Sequence, residues 1–321
     1  MARLHHFDRL KALAALMVMT IHITAPVADL ETTTFDNYGW YQPILNLAVP
    51  IFFLLSGYFI GQKGQSYLPS YRRKTLLLFL QASGCYLLSN LVMWTLDNSL
   101  ATAVQRLYHS FTLEALTSGV VASIPLWFLW AMYWALWLLS LTKRRFSPGG
   151  ELIFAALFYL VGMRLRDLFG LEEFFRYGSI FQACWYLTVG SLLVQLPPLK
   201  ERFRPLLGLL TGLLIASLPW LDQHVSGWFY AWALGAAAIL LVYLASLRSG
   251  RRDWLSHFGR YRSDLLYLSH SFSLDWARKI AAWWHLPLLP SPYLRILVFG
   301  SICLAVNTLL GQGRRFLTRG E

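Results

Sequence analysis

The chain has 321 residues, 56% of them hydrophobic and only 14% charged, with a mean hydropathy of +0.47. That balance excludes an ordinary soluble domain and points to an all-α polytopic membrane protein, so the formal charge of +12 reads as a topology signal rather than the mark of a nucleic-acid binder. Cys85, Cys184 and Cys303 lie far apart inside apolar runs and give neither a disulfide framework nor a metal-ligand spacing; they read as small buried hydrophobes.

The first element is the apolar run from Phe7 to Ile23, expected to be an uncleaved anchor because no small-residue cleavage site follows it. Lys11 stands at its mouth and His22 interrupts it eleven residues later. At helical pitch the two are about 20° apart around the axis and roughly 16 Å apart along it, with Asp8 on the same stripe. That depth is about half of a ~30 Å hydrocarbon core. An ionisable group there is costly unless it faces protein or a watery cavity, which makes His22 a functional-site hypothesis; the alternative is a neutral imidazole bonded to a neighbouring helix. Asp8 is expected to partner a cation at the mouth or to cap the helix start.

Ten hydrophobic spans are expected: about 9–28, 43–61, 75–95, 124–142, 151–168, 179–196, 206–221, 228–247, 264–281 and 294–311. No linker divides them, so 1–321 reads as one membrane-embedded domain. The second span carries Val49-Pro50-Ile51-Phe52-Phe53-Leu54-Leu55-Ser56-Gly57-Tyr58, and Arg72-Arg73-Lys74 opens the third. The longest connection runs roughly from Leu96 to Ser123 and holds Glu114. Trp127-Phe128-Leu129 opens the fourth span, and Arg164 and Arg166 lie near the far end of the fifth. Gly208 and Gly212 in the seventh suggest a close helix contact. Tyr267 and His270, at i and i+3 in the ninth, share a helix face.

Counted over the connections, 21 of the 28 Lys and Arg fall on one side, including Lys63, Arg72 to Lys74, Lys143 to Arg145, and the Arg248 to Arg262 group. That side is cytoplasmic by the positive-inside rule, with both termini inside. Asp29, Glu31, Asp36, Asp97, Glu114, Asp167, Glu172, Glu173 and Asp222 fall opposite. Tryptophans such as Trp40, Trp220, Trp283 and Trp284 near span ends read as interfacial anchors.

Asp8, Leu10 and Lys11, then ten residues, His22, and about 30 residues on the Val49 to Tyr58 segment: this pattern resembles the amino-terminal signature of the acyltransferase-3 family of integral-membrane O-acyltransferases. The resemblance is specific over residues 7–75 and looser through Trp127-Phe128-Leu129 and Ser263…Tyr267…His270. Lys11 stands where that family has arginine, which keeps the charge but loses the bidentate fork. The resemblance implies an acyltransferase that moves a short acyl group, acetyl above all, from cytoplasmic acyl-CoA to a hydroxyl of a sugar or lipid-linked glycan. It implies a multi-pass protein of the bacterial inner membrane that modifies cell-envelope polysaccharide. On that reading His22 is the general base, since the unperturbed pKa of a histidine lies near operating pH. Lys11 stands below it, Ser56 and Tyr58 shape the site, and Arg72, Arg73 and Lys74 with Lys11 hold the donor's phosphates. Tyr267 and His270 join the donor site or make a structural hydrogen bond, and Trp127 and Glu114 are candidate acceptor contacts. Acetyl-CoA is a co-substrate; no resident cofactor or metal is expected, and the expected partners are the acceptor, the bilayer and a second copy of the chain. Direct transfer and an acyl intermediate both stay open. The alternative function is a transporter or flippase for a glycan intermediate, although no inverted repeat is evident.

Overall fold

The computed structural model describes residues 4–24, 40–169, 180–286, 289 and 291–317, and every regular element among them is helical. Apolar windows decide the length of most helices, and prolines and caps decide where several begin. The chain divides into two compact units, residues 1–52 with 197–321 and residues 53–196, and the division falls inside a helix.

The first unit holds α1 (His5–Thr24), the start of α2 (Ala48–Lys63), and, after the second unit, five further helices. α1 starts at His5, so Asp8 lies inside its first turn, buried, and is not the cap expected from sequence. Late in the chain come α9 (Arg204–His224), α10 (Gly227–Ser246), α11 (Trp254–Tyr261), α12 (Ser263–Trp283) and α13 (Pro292–Leu317). α1 packs on α10, α11, α12 and α13, so a helix that carries Asp8, Lys11 and His22 is enclosed by protein. Its mouth is fixed by α11. Asp253 caps α11 by accepting from the Ser256 amide at 2.8 Å, and the Ser256 hydroxyl answers at the Asp253 amide. Asp253 also pairs with Arg9 at 2.7 Å, and the Ser256 bond together with Arg9 holds its carboxyl down to about 2. A side chain at Gly259 would run into the backbone of α1 at Asp8, so only glycine permits that crossing.

The second unit continues α2 and adds α3 (Leu68–Asp97), α4 (Leu100–Ser110), α5 (Leu113–Ser118), α6 (Trp127–Arg145), α7 (Pro148–Phe169) and α8 (Ile180–Leu193). The long connection of the sequence reading is itself helical. Ser99 accepts from the Thr102 amide to cap α4, Thr112 accepts from the Ala115 amide to cap α5, and Gly119 ends α5 with φ 77°. Gly119 lies against the Trp130 side chain, whose Nε1 donates to the Thr117 carbonyl and ties α5 to α6. α2 and α8 cross at backbone contact: a side chain at Gly57 would meet the Leu187 carbonyl, one at Gly61 the Ser191 carbonyl, and one at Gly190 the Leu54 carbonyl. Small residues bring membrane helices this close. Gly208 and Gly212 do not. Among the described residues a Cβ at either meets open space, which corrects the contact expected there.

Seven stretches are long and apolar enough to cross a membrane: 42–63, 65–97, 124–145, 148–165, 201–224, 227–246 and 293–312. Helices also underlie the three other expected spans, but α1 and α12 carry several charges and α8 has 14 described residues. Only 11% of the apolar window in 65–97 is buried in protein, a degree of apolar exposure that belongs against lipid. Cys184 and Cys303 are buried, but Cys85 is exposed on α3, unlike the buried hydrophobe expected.

Candidate functional site

In the first unit, α1 and α12 bring His22 and His270 together, their ring centroids 5.0 Å apart and their planes tilted by 37°. His22 is half-buried two residues from the described end of α1, and His270 is 1% exposed. The His270 Nδ1 lies 2.7 Å from the Tyr267 carbonyl and 3.3 Å from that of Leu266. A carbonyl only accepts, so Nδ1 carries the proton, and in the uncharged ring Nε2 is left with a lone pair. That Nε2 is buried without a hydrogen-bond partner among the described residues. The His22 ring nitrogens likewise have none among the described residues. The ring pair therefore offers acceptor nitrogens that none of the described residues uses.

The surroundings of the pair are built from the same unit. Tyr267 packs its ring 6.0 Å from His270 and 5.7 Å from Phe52. The Cys303 thiol donates to the His270 carbonyl at 3.6 Å, fastening α13 to α12. Arg278, half-buried on α12, donates from Nη2 to the His22 carbonyl at 3.3 Å. Lys11 lies half-buried on the His22 stripe of α1, roughly 16 Å nearer the helix start. An apolar cavity of about 520 Å³ near that start is lined by Leu16, Trp254, Phe258, Arg262 and Leu304 among others, and His22 is not part of its wall.

In the second unit, Arg72 and Arg144 line a polar cavity of about 380 Å³ with Gln65, Ser66 and Ser140. Arg73 and Lys74 are exposed and lie outside that wall. Arg144 was legible in the sequence only as a topology charge, because nothing local says that the end of α6 returns beside the start of α3. Gln65 supports the cavity by donating to the Lys143 carbonyl at 2.8 Å, while Lys143 itself forms a largely buried ion pair with Glu151 at 3.1 Å. Ser56 accepts from the Tyr71 hydroxyl at 3.2 Å, so this serine ties α2 to α3. Tyr58 is buried with its ring 6.5 Å from that of Phe59. Trp127 is half-buried against Phe53 and Phe128, and Glu114 is exposed on α5. Arg164 is exposed on α7, while Asp29, Glu31, Asp36, Glu172 and Glu173, expected opposite the basic face, lie outside the described residues. No group of three or more His, Cys, Asp or Glu suited to a metal occurs among the described residues.

A family model described as an acyltransferase domain matches residues 4–310, nearly the whole chain and well beyond the 7–75 stretch of the motif resemblance. Comparison with curated proteins and with solved structures gives no match.

Proposed function

The chain belongs to the acyltransferase-3 family, which makes it a membrane acyltransferase, and on that footing we propose that it moves an acetyl group from cytoplasmic acetyl-CoA to a hydroxyl of a sugar, glycan or lipid-linked glycan of the cell envelope. The ten helical spans sit in a bacterial inner membrane with both termini on the cytoplasmic side. His22 is the general base. Its unprotonated ring nitrogen takes the acceptor hydroxyl's proton as that oxygen bonds to the thioester carbonyl carbon. Collapse of the tetrahedral adduct breaks the carbon–sulfur bond, and the coenzyme A thiolate leaves with the proton that His22 took up. The donor's phosphates bind at the Arg72–Arg144 cavity, whose guanidinium forks suit phosphate oxygens, with Arg73 and Lys74 adding positive charge at the start of α3; Lys11 adds positive charge on the cytoplasmic side of its own unit.

The observation that carries this reading is the imidazole pair. Two histidines in contact inside a membrane protein, one with a buried acceptor nitrogen that no group among the described residues uses, depart from the rule that buried polar atoms are hydrogen-bonded. A purely structural pair would use both nitrogens. His22→Ala is expected to lower transfer by about 10²-fold or more, with yield, folding and donor affinity unchanged. Turnover retained in that variant removes His22 as the base.

A further inference from the structure

Arg295 lies in the first turn of α13, only 5% exposed, and its guanidinium is incompletely used. Nε donates to the Leu289 carbonyl at 2.7 Å, but Nη2 is buried with no partner among the described residues. Arg278, near the end of α12, spends Nη2 on the His22 carbonyl. The two cations are close enough to act on each other electrostatically, and among the described residues Asp275 is the one carboxylate that acts on Arg278. Neither arginine has a direct ion pair there. Two positive charges set against one negative charge inside a membrane protein leave a net charge that is costly when nothing completes it. The site sits at the α12–α13 end of the unit, opposite the end where Arg9 and Asp253 pair, and Arg278 bonds the very residue read above as the base.

We propose that Arg278 and Arg295 form an anion subsite for the acceptor: a phosphate or carboxylate on the acceptor docks on the two guanidinium groups and so presents a neighbouring hydroxyl to His22. Planar forks are suited to the two oxygens of such a group, and the unused Arg295 Nη2 is the donor that awaits one. The start of α13 favours an anion at the same place, since a first helical turn carries amides without helical acceptors. The acceptor is therefore an acidic glycan or a phosphate-bearing lipid-linked glycan rather than a neutral sugar. This rests on the reading of His22 as the base.

The test uses full-length protein in nanodiscs of neutral lipid, titrated with phenyl phosphate, phenyl glucuronide and neutral phenyl glucoside. At least one anionic probe is expected to bind saturably where the neutral one does not, and which of the two binds separates phosphate from carboxylate. Arg295→Gln and Arg278→Gln should each weaken that binding about tenfold or more, Arg295→Lys less so, with acetyl-CoA binding unchanged. Absence of saturable anionic binding by the unaltered protein overturns the proposal whether or not the variants fold. Equal binding by folded Gln variants overturns it too. His22→Ala separates the two readings: anion binding kept while transfer is lost supports both, whereas transfer kept with arginine-dependent anion binding sinks only the base.

Discussion

At the scale of single residues, an arginine's worth depends on what stands opposite it, and that is where the donor proposal is most exposed. Arg72 and Arg144 share a cavity, whereas Arg73 and Lys74 are exposed and outside its wall. Reversal of Arg72 or Arg144 to Glu is therefore expected to raise KM for acetyl-CoA about tenfold or more with little change in kcat, and reversal of Arg73 or Lys74 to raise it far less. Steady-state kinetics against acetyl-CoA decide it, and four equal effects would remove the cavity as the phosphate site. The sequence made His22 and Lys11 conspicuous because a polar group in an apolar run is visible without any tertiary information. Arg144 and Arg295 were not visible in that way. Arg144 reads as one of many cytoplasmic charges, and the incomplete bonding of Arg295 exists only once α13 is packed.

At the scale of helices, the glycines sort by what their missing side chains would strike. Gly57 and Gly190 face backbone, which cannot move aside, while Gly208 and Gly212 face open space among the described residues. Gly57→Leu or Gly190→Leu should destabilise the protein by about 1–3 kcal/mol or more. Gly208→Leu and Gly212→Leu should stay within about 0.5 kcal/mol of the unaltered protein. Thermal unfolding in detergent distinguishes the pairs, and equal losses would show that the α2–α8 crossing tolerates separation. Four-residue spacing alone could not rank these glycines, because Gly57-Gly61 and Gly208-Gly212 share it; only the partner helix differs. The caps of α4 and α5 were legible in principle as Ser99 and Thr112, yet a connection rich in polar residues hides them.

At the scale of the molecule, helices underlie the ten spans seen in hydropathy, but among the described residues only seven stretches are apolar enough on their own. α1 and α12 fall short because they carry Asp8, Arg9 and Lys11, and Asp264, Asp275, Arg278 and Lys279. They are also the helices that hold the imidazole pair, so the proposed base stands on one of the spans least suited to lipid. Orientation follows from charge alone and is tested by labelling. With Cys85→Ser as background, Leu113→Cys should react with an impermeant maleimide in intact cells and Arg145→Cys only after permeabilisation. The opposite pattern would invert the topology and place the donor cavity on the wrong side.

The contact of Gly57 with Leu187 joins positions 130 residues apart in the chain. During synthesis at roughly 5–20 residues per second, α2 must wait on the order of ten seconds before its mate exists. Throughout that interval its glycine groove has only lipid, chaperone or the insertion machinery to lie against. The second unit thus acquires its final form late, and a ribosome stalled ahead of Ile180 would leave an inserted but unzipped intermediate for quality control to find.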